Sequence, residues 1–282
     1  MKYFTKEWYE LCQKTCAHLL LEESKEAEQF SEEYFQALYQ RKLSEYLFSQ
    51  EEMSKVSFND IFTAEIDPEF LEGVPKDKVE EIKRVVLEER EQAKENYKQI
   101  VYDAEKSTQQ FSELLRSNVE RAKKVLPEDI FKDIADIRVF ALDKATKTTI
   151  SRVSAFCEKN ESIMKKAIKD YSTYYTGIKP KLDNNIIEKM NFHDCKVLNL
   201  DIDEEVLSIR LDNSGGFTDV SRVDFEHGKI TKQEDSLEGY WWLYDEIYLT
   251  REGYEIHVLL QNEKLNLIDF IITTKKIRFV ID

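Results

Sequence analysis

An α+β fold, helices first and an antiparallel sheet after them, is what the 282-residue sequence predicts. Three observations carry this expectation. Up to about residue 190, apolar residues recur every three or four positions, the period of a helix with one buried stripe; from 190 to 282 they alternate, the period of a strand with one buried face. Of the seven glycines, only Gly73 precedes residue 177, and a glycine-poor stretch rich in Glu, Lys, Gln and Ala is built from helix formers. Between the two patterns, Gly177-Ile178-Lys179-Pro180 supplies a helix terminator and a residue that cannot continue a helix. These features predict an elongated helical domain over 1–178, a linker over 177–185, and a β-domain over 186–282. Its strands are expected as an antiparallel meander curled into a small roll, barrel or sandwich.

The first helix is expected from Thr5 or Lys6 to Glu22, with Thr5 as N-cap and Trp8, Leu11, Cys12, Thr15, Cys16 and Leu19 on one face. A second is expected over 24–49, through Ala27, Phe30, Tyr34 and Leu38. Asp67-Pro68-Glu69-Phe70-Leu71-Glu72-Gly73 reads as one short helix, capped by Asp67 and ended by Gly73. From Asp77 a long helical pattern runs to Leu126, with Ser107-Thr108 as the place for any break and Pro127 as its end. Further helices are expected over 130–145, 149–157 and 161–175, then strands over 195–202, 206–211, 218–226, 239–250, 254–261 and 265–281. Asp203-Glu204-Glu205, Asn213-Ser214-Gly215-Gly216 and Glu252-Gly253 are the turns between strands.

Composition narrows the function. The formal net charge is −15, which weighs against a nucleic-acid surface, since such a surface must neutralise phosphates, and against an anionic membrane. No apolar run reaches the ~20 residues that span a bilayer. The opening carries charges where a signal peptide needs an apolar core, so a cytoplasmic protein is expected, with free thiols at Cys12, Cys16, Cys157 and Cys195. Residues 171–282 hold 13 basic and 21 acidic side chains, which makes the β-domain the more acidic part and a basic protein a fitting partner. Oligomerisation through the long helix is a further option.

No cofactor is expected. Cys12, Cys16 and His18 do not share a helix face and lack the further ligands that a tetrahedral zinc needs. The helical glutamates lack the Glu-x-x-His pairs of a di-iron bundle. The signatures GxSxG, GxxxxGK[ST] and GxGxxG do not occur. His193-Asp194-Cys195 has the residue types of a nucleophilic relay. On a strand, however, same-face neighbours stand about 7 Å apart, too far for a working relay, so an anchoring role at the turn into the first strand is preferred. Trp241 to Tyr248 is aromatic on both strand faces: Trp241, Leu243 and Ile247 form one row, and Trp242, Tyr244, Glu246 and Tyr248 the other. One row fills the core; the second packs against other parts of the chain or marks a partner surface. The candidate binding residues are therefore His193, Asp194, Trp242, Tyr244, Asp245, Glu246 and His257.

The opening MKYFTKEWY, the central ADIRVFAL, and the later FHD (192–194) and WLYDEI (242–247) resemble a family of Gram-positive bacterial proteins that carries only a domain-of-unknown-function label. The resemblance implies no activity and no catalytic residues. The acidic β-domain entered through Phe-His-Asp is also similar in style to domains found beside bacterial toxin–immunity loci. The leading expectation is a non-enzymatic binding or regulatory protein, immunity-like in character, acting through an acidic, aromatic-rich β-domain surface. The alternative is a hydrolase or metal-dependent enzyme sited near His193, Asp194, Glu246 and His257.

Overall fold

The computed structural model describes residues 1–61, 66, 68–71, 74–97, 101–203 and 205–281. It is an α+β protein, helical in its N-terminal region and closed by an eight-stranded antiparallel sheet. The chain forms two compact units, one of Met1–Leu19 with Val153–Asp282, the other of Leu20–Arg152. The first unit is thus discontinuous in sequence.

In the continuous unit, α2 (Glu32–Lys55) starts eight residues later than its apolar pattern suggests. Ser31 accepts a hydrogen bond from the Tyr34 N–H at 3.2 Å and so sets the start; the residues before it form β1 (Glu22–Glu23) and a 3-10 turn (Lys25–Glu28), leaving Phe30 exposed. α3 (Phe58–Ile61) and a 3-10 turn (Pro68–Leu71) follow; the expected cap Asp67 and terminator Gly73 lie outside the described residues. The long helix expected over 77–126 is two helices, α4 (Lys76–Asn96) and α5 (Ala104–Val125). The break comes before Ser107-Thr108, because Asp103 accepts from the Lys106 N–H at 3.0 Å and caps a new helix. Thr108 stays helical by bonding back to the Ala104 carbonyl.

The expected helix over 130–145 is α6 (Glu128–Phe131), α7 (Ile137–Phe140) and β2 (Lys144–Ala145), the last paired in parallel with β1. Phe35, Leu38, Val139 and Leu142 form this unit's core, with Phe111 and Leu115 of α5 against it. Arg138 bridges Asp136 and Glu32 and lies 4.0 Å over the Phe35 ring.

In the discontinuous unit, α1 is short (Lys6–Cys12), with Thr5 as its cap. The two helices expected over 149–175 are one, α8 (Lys147–Ile178), and the boundary between units falls within it. The residues expected as a linker hold the end of α8, a 3-10 turn (Lys179–Lys181) and the start of α9 (Asn184–Lys189).

The strands are β3 (Lys196–Asp203), β4 (Val206–Asp212), β5 (Arg222–Glu226), β6 (Lys229–Gln233), β7 (Trp241–Leu249), β8 (Tyr254–Gln261), β9 (Leu267–Thr274) and β10 (Lys276–Val280). Their order is β10-β5-β4-β3-β7-β8-β9-β6, two three-stranded meanders joined through β3 and β7. β5 runs almost directly into β6, and β9 into β10, although each pair stands at opposite ends of that order. The two bent ribbons pair with each other in one register across the bend: Glu226 faces Lys276, and Lys229 faces Thr273. This is how the sheet curls into a roll, with strands that bend to join both of its faces. Val197, Ile209, Val223, Phe225, Trp242, Ile256, Val258, Phe270 and Ile272 fill the interior, each almost completely buried.

Candidate functional site

The expected site residues lie on β7, on β8 and in the turn before β3. A bulge at Leu243 decides which way each points. The β7–β8 register shifts between Trp242 and Tyr244, so Trp242 falls on the core face with Ile247, while Tyr244, Glu246 and Tyr248 face outward. Trp242 therefore does not join the outer row, contrary to the strict alternation read from the sequence. It packs edge-on against Phe192, with ring centroids 5.0 Å apart, and its indole N–H donates to Asp245 at 2.9 Å.

The outer row is covered by the chain's own N-terminal residues. Glu246 is fully buried, and its carboxylate accepts from the backbone N–H groups of Lys2 (2.7 Å), Tyr3 (2.8 Å) and Phe4 (2.6 Å) and from the Tyr248 hydroxyl. Three consecutive amides converging on one anion form a nest, a geometry suited to negative charge. Phe4 then packs tilted against Tyr244 and Trp8 edge-on, with ring centroids 5.7 and 5.0 Å away. Lys2 lies 3.7 Å over the Tyr248 ring. Burial and the Glu246 hydrogen bond push the Tyr248 phenol well above its ordinary pKa.

His257 faces Glu246 across the β7–β8 pair, with Nδ1 3.9 Å from the carboxylate, too long for a hydrogen bond. Its Nε2 lies 2.7 Å from Glu255, which assigns the proton to Nε2. Burial lowers its pKa and keeps the ring neutral, against the opposing pull of Glu255. Asp245 keeps some solvent exposure by surface area, yet its carboxyl is closely enclosed by protein atoms. That desolvation pushes its pKa up to about 6, despite the Trp242 hydrogen bond.

His193 and Asp194 belong to a turn rather than a strand. The Cys195 N–H bonds to the Phe192 carbonyl at 2.9 Å, and Asp194 adopts φ 65°, a left-handed conformation that Asp tolerates. His193 Nδ1 bonds to the Leu243 carbonyl on β7, and its Nε2 is 3.7 Å from Asp194. Cys195 is buried, and desolvation raises its thiol to about 11, the opposite of an activated nucleophile. Gly216 explains part of this burial: a Cβ there would lie 2.4 Å from the Cys195 sulfur.

The structure thus separates the seven residues. Glu246, His257 and Tyr244 lie under the N-terminal segment, Trp242 points into the core and bonds to Asp245, and His193 and Asp194 hold the turn. Among the described residues, no three His, Cys, Asp or Glu side chains are grouped to hold a metal ion.

Two features had no clear signal in the sequence. Two tyrosine hydroxyls of α8 accept hydrogen bonds from β7 backbone N–H groups, Tyr171 from Ile247 at 2.9 Å and Tyr174 from Leu249 at 3.3 Å. β3, in contrast, pairs with β7 only at Lys196; among the described residues, 199–203 pair with β4 alone, and Leu198 sits at a register shift between Val197 and Asn199. This edge carries exposed Leu198 (49%) and Ile202 (69%) and exposed Asp201 and Asp203.

The sequence profile described as Protein of unknown function (DUF4085) matches residues 74–268. The chain belongs to this family. The match takes in the ADIRVFAL, FHD and WLYDEI segments, and the opening nine residues lie outside it. No curated protein and no solved structure matches the chain.

Proposed function

We propose that this member of the DUF4085 family is a non-enzymatic binding or regulatory protein whose β unit takes an extended, basic segment of a partner protein along the outer edge of β3. The observation that carries this reading is the one-sided pairing of residues 199–203. An unpaired edge offers backbone donors and acceptors to an added strand, and the side chains choose the partner. Exposed Leu198 and Ile202 favour apolar residues in alternation, and Asp201 and Asp203 favour Lys or Arg between them. A partner so held is the kind that an immunity-like protein would sequester.

The disposition of the other candidates supports binding over hydrolysis or metal chemistry. Four donors already occupy the Glu246 carboxylate, and the His193 Nδ1 is committed to a backbone carbonyl. Of the two expectations for the second aromatic row, packing within the chain or a partner surface, Tyr244 meets the first by packing against Phe4 and Trp8, so the acidic edge is the more apt surface. The test is titration of 15N-labelled protein with a synthetic peptide of alternating Lys and Ile. Saturable shifts confined to 197–203 and lost in Asp201→Lys are expected. Shifts elsewhere, or none at millimolar peptide, would overturn the reading.

A further inference from the structure

The bend of the roll carries a second surface of opposite charge. A cleft of about 520 Å³ opens where three chain segments meet: the β5–β6 bend, the β7–β8 hairpin and the β9–β10 bend. Its cationic groups come one from each, Lys229 from the first, Arg251 from the second and Lys275 from the third, with the His227 imidazole beside Lys229 in the lining. In a chain of net charge −15 this is an unusual convergence. Among the described residues, Lys229, Arg251 and Lys275 have no ion pair. His227 has one acidic neighbour, Glu205 at 3.5 Å, and Glu252 is the acidic side chain in the cleft wall.

The backbone holds these groups together. Gly253 has φ 152°, and a Cβ on it would stand 2.2 Å from the Thr274 carbonyl oxygen and 2.6 Å from the Lys275 Cα. Only glycine permits the hairpin to come this close to the β9–β10 bend. The hairpin is closed by the Thr250 N–H bonding to the Gly253 carbonyl at 2.9 Å, which fixes Arg251 at its tip. The Lys275 N–H bonds to the Glu226 carbonyl at 3.1 Å and ties the two bends to each other. Lys275 and Arg251 are thus set by backbone contacts. Hydroxyls of Thr250, Thr273 and Tyr254 also line the cleft, and among the described residues the Tyr254 hydroxyl makes no hydrogen bond.

We propose that this cleft binds a small oxyanion of two or more charges, namely the phosphate group of a small phosphorylated molecule. Like charges held on rigid bends repel one another, and an anion placed among them removes that repulsion and gains charge-assisted hydrogen bonds. Arg251 offers the planar fork that suits two phosphate oxygens, Lys229 and Lys275 supply point charges, and the Thr250 and Tyr254 hydroxyls, whose protons are uncommitted among the described residues, donate to the remaining oxygens. The site is separate from the β3 edge, and its ligand is of the opposite charge.

The experiment uses the full chain, 15N-labelled, with inorganic phosphate as probe and chloride at equal ionic strength as control. Saturable shifts are expected at amides 227–229, 250–254 and 273–275, unchanged by chloride. Affinity is expected to fall by about tenfold or more in the Arg251→Gln/Lys275→Gln double variant, as loss of charge-assisted bonds dictates. Both positions are exposed, so that variant should keep the wild-type circular dichroism and unfolding midpoint. A citrate titration separates sources: stronger binding of citrate than of phosphate would overturn the phosphate assignment. Linear, non-saturating shifts, or equal binding by the double variant, would overturn the site itself.

Discussion

Glu246 shows what a single carboxylate does when it is buried with enough donors. Isolated, it would be costly at 0% exposure; with three amides and a phenol around it, it fixes residues 2–4. Glu246→Ala leaves those amides without an acceptor, and urea unfolding is expected to show a loss of about 3–5 kcal/mol. Asp245 has the reverse character. Its native carboxyl keeps a proton up to about pH 6, whereas an unfolded aspartate releases it near pH 3.9. The folded state therefore binds more protons between these values, and the group's stabilisation is complete below about pH 4 and lost as pH rises through about 6. Asp245→Asn keeps an acceptor for Trp242 and is expected to raise stability at pH 7.5 by about 1–2 kcal/mol, with no gain at pH 4. Equal gains at both values would contradict it. His257 works the other way: its lowered pKa gives stability that is present above about pH 6.5 and lost on acidification.

At the level of elements, α8 completes the backbone bonding of β7 through side chains. Tyr171→Phe removes the acceptor for the Ile247 N–H and is expected to cost about 1–2 kcal/mol, with faster amide exchange at Ile247 in NMR. The change of period near residue 190 was legible because it reflects solvent on one side of each element, and so were Thr5 as a cap and the turn at Gly215-Gly216. The break before α5 was expected too late, at Ser107-Thr108, because the apolar stripe continues through Tyr97 and Ala104, while the deciding group, Asp103, is polar and acts through one hydrogen bond. The rows of β7 were misassigned at Trp242 because alternation carries no mark of a bulge. Glu246 was visible as a candidate but not its role, since its partners are backbone amides some 240 positions away and amides have no sequence signature. The cleft at the bend was hidden for the same reason: His227, Arg251 and Lys275 are unremarkable until the roll closes.

For the molecule as a whole, charge is the largest bias. A net charge of −15 repels itself, so added salt should stabilise the fold. Raising NaCl from about 0.01 to about 0.1 M shortens the screening length from about 30 to about 10 Å. A rise in Tm on the order of 2–4 °C by calorimetry is expected, and a fall would show that specific ion pairs outweigh the general repulsion. Among the described residues, no helix is long and apolar enough to cross a membrane.

The anchoring of residues 2–4 on Glu246 also orders events in time. Synthesis presents residues 1–19 before β7 exists, and the compact unit of residues 20–152 lies between them in the sequence. Residues 1–19 must wait, Phe4 and Trp8 without their Tyr244 contacts, until the strand bearing Glu246 and Tyr244 is synthesised. On the ribosome, then, residues 2–4 find their place only after β7 has emerged, and through that interval they are a ready target for chaperones and proteases.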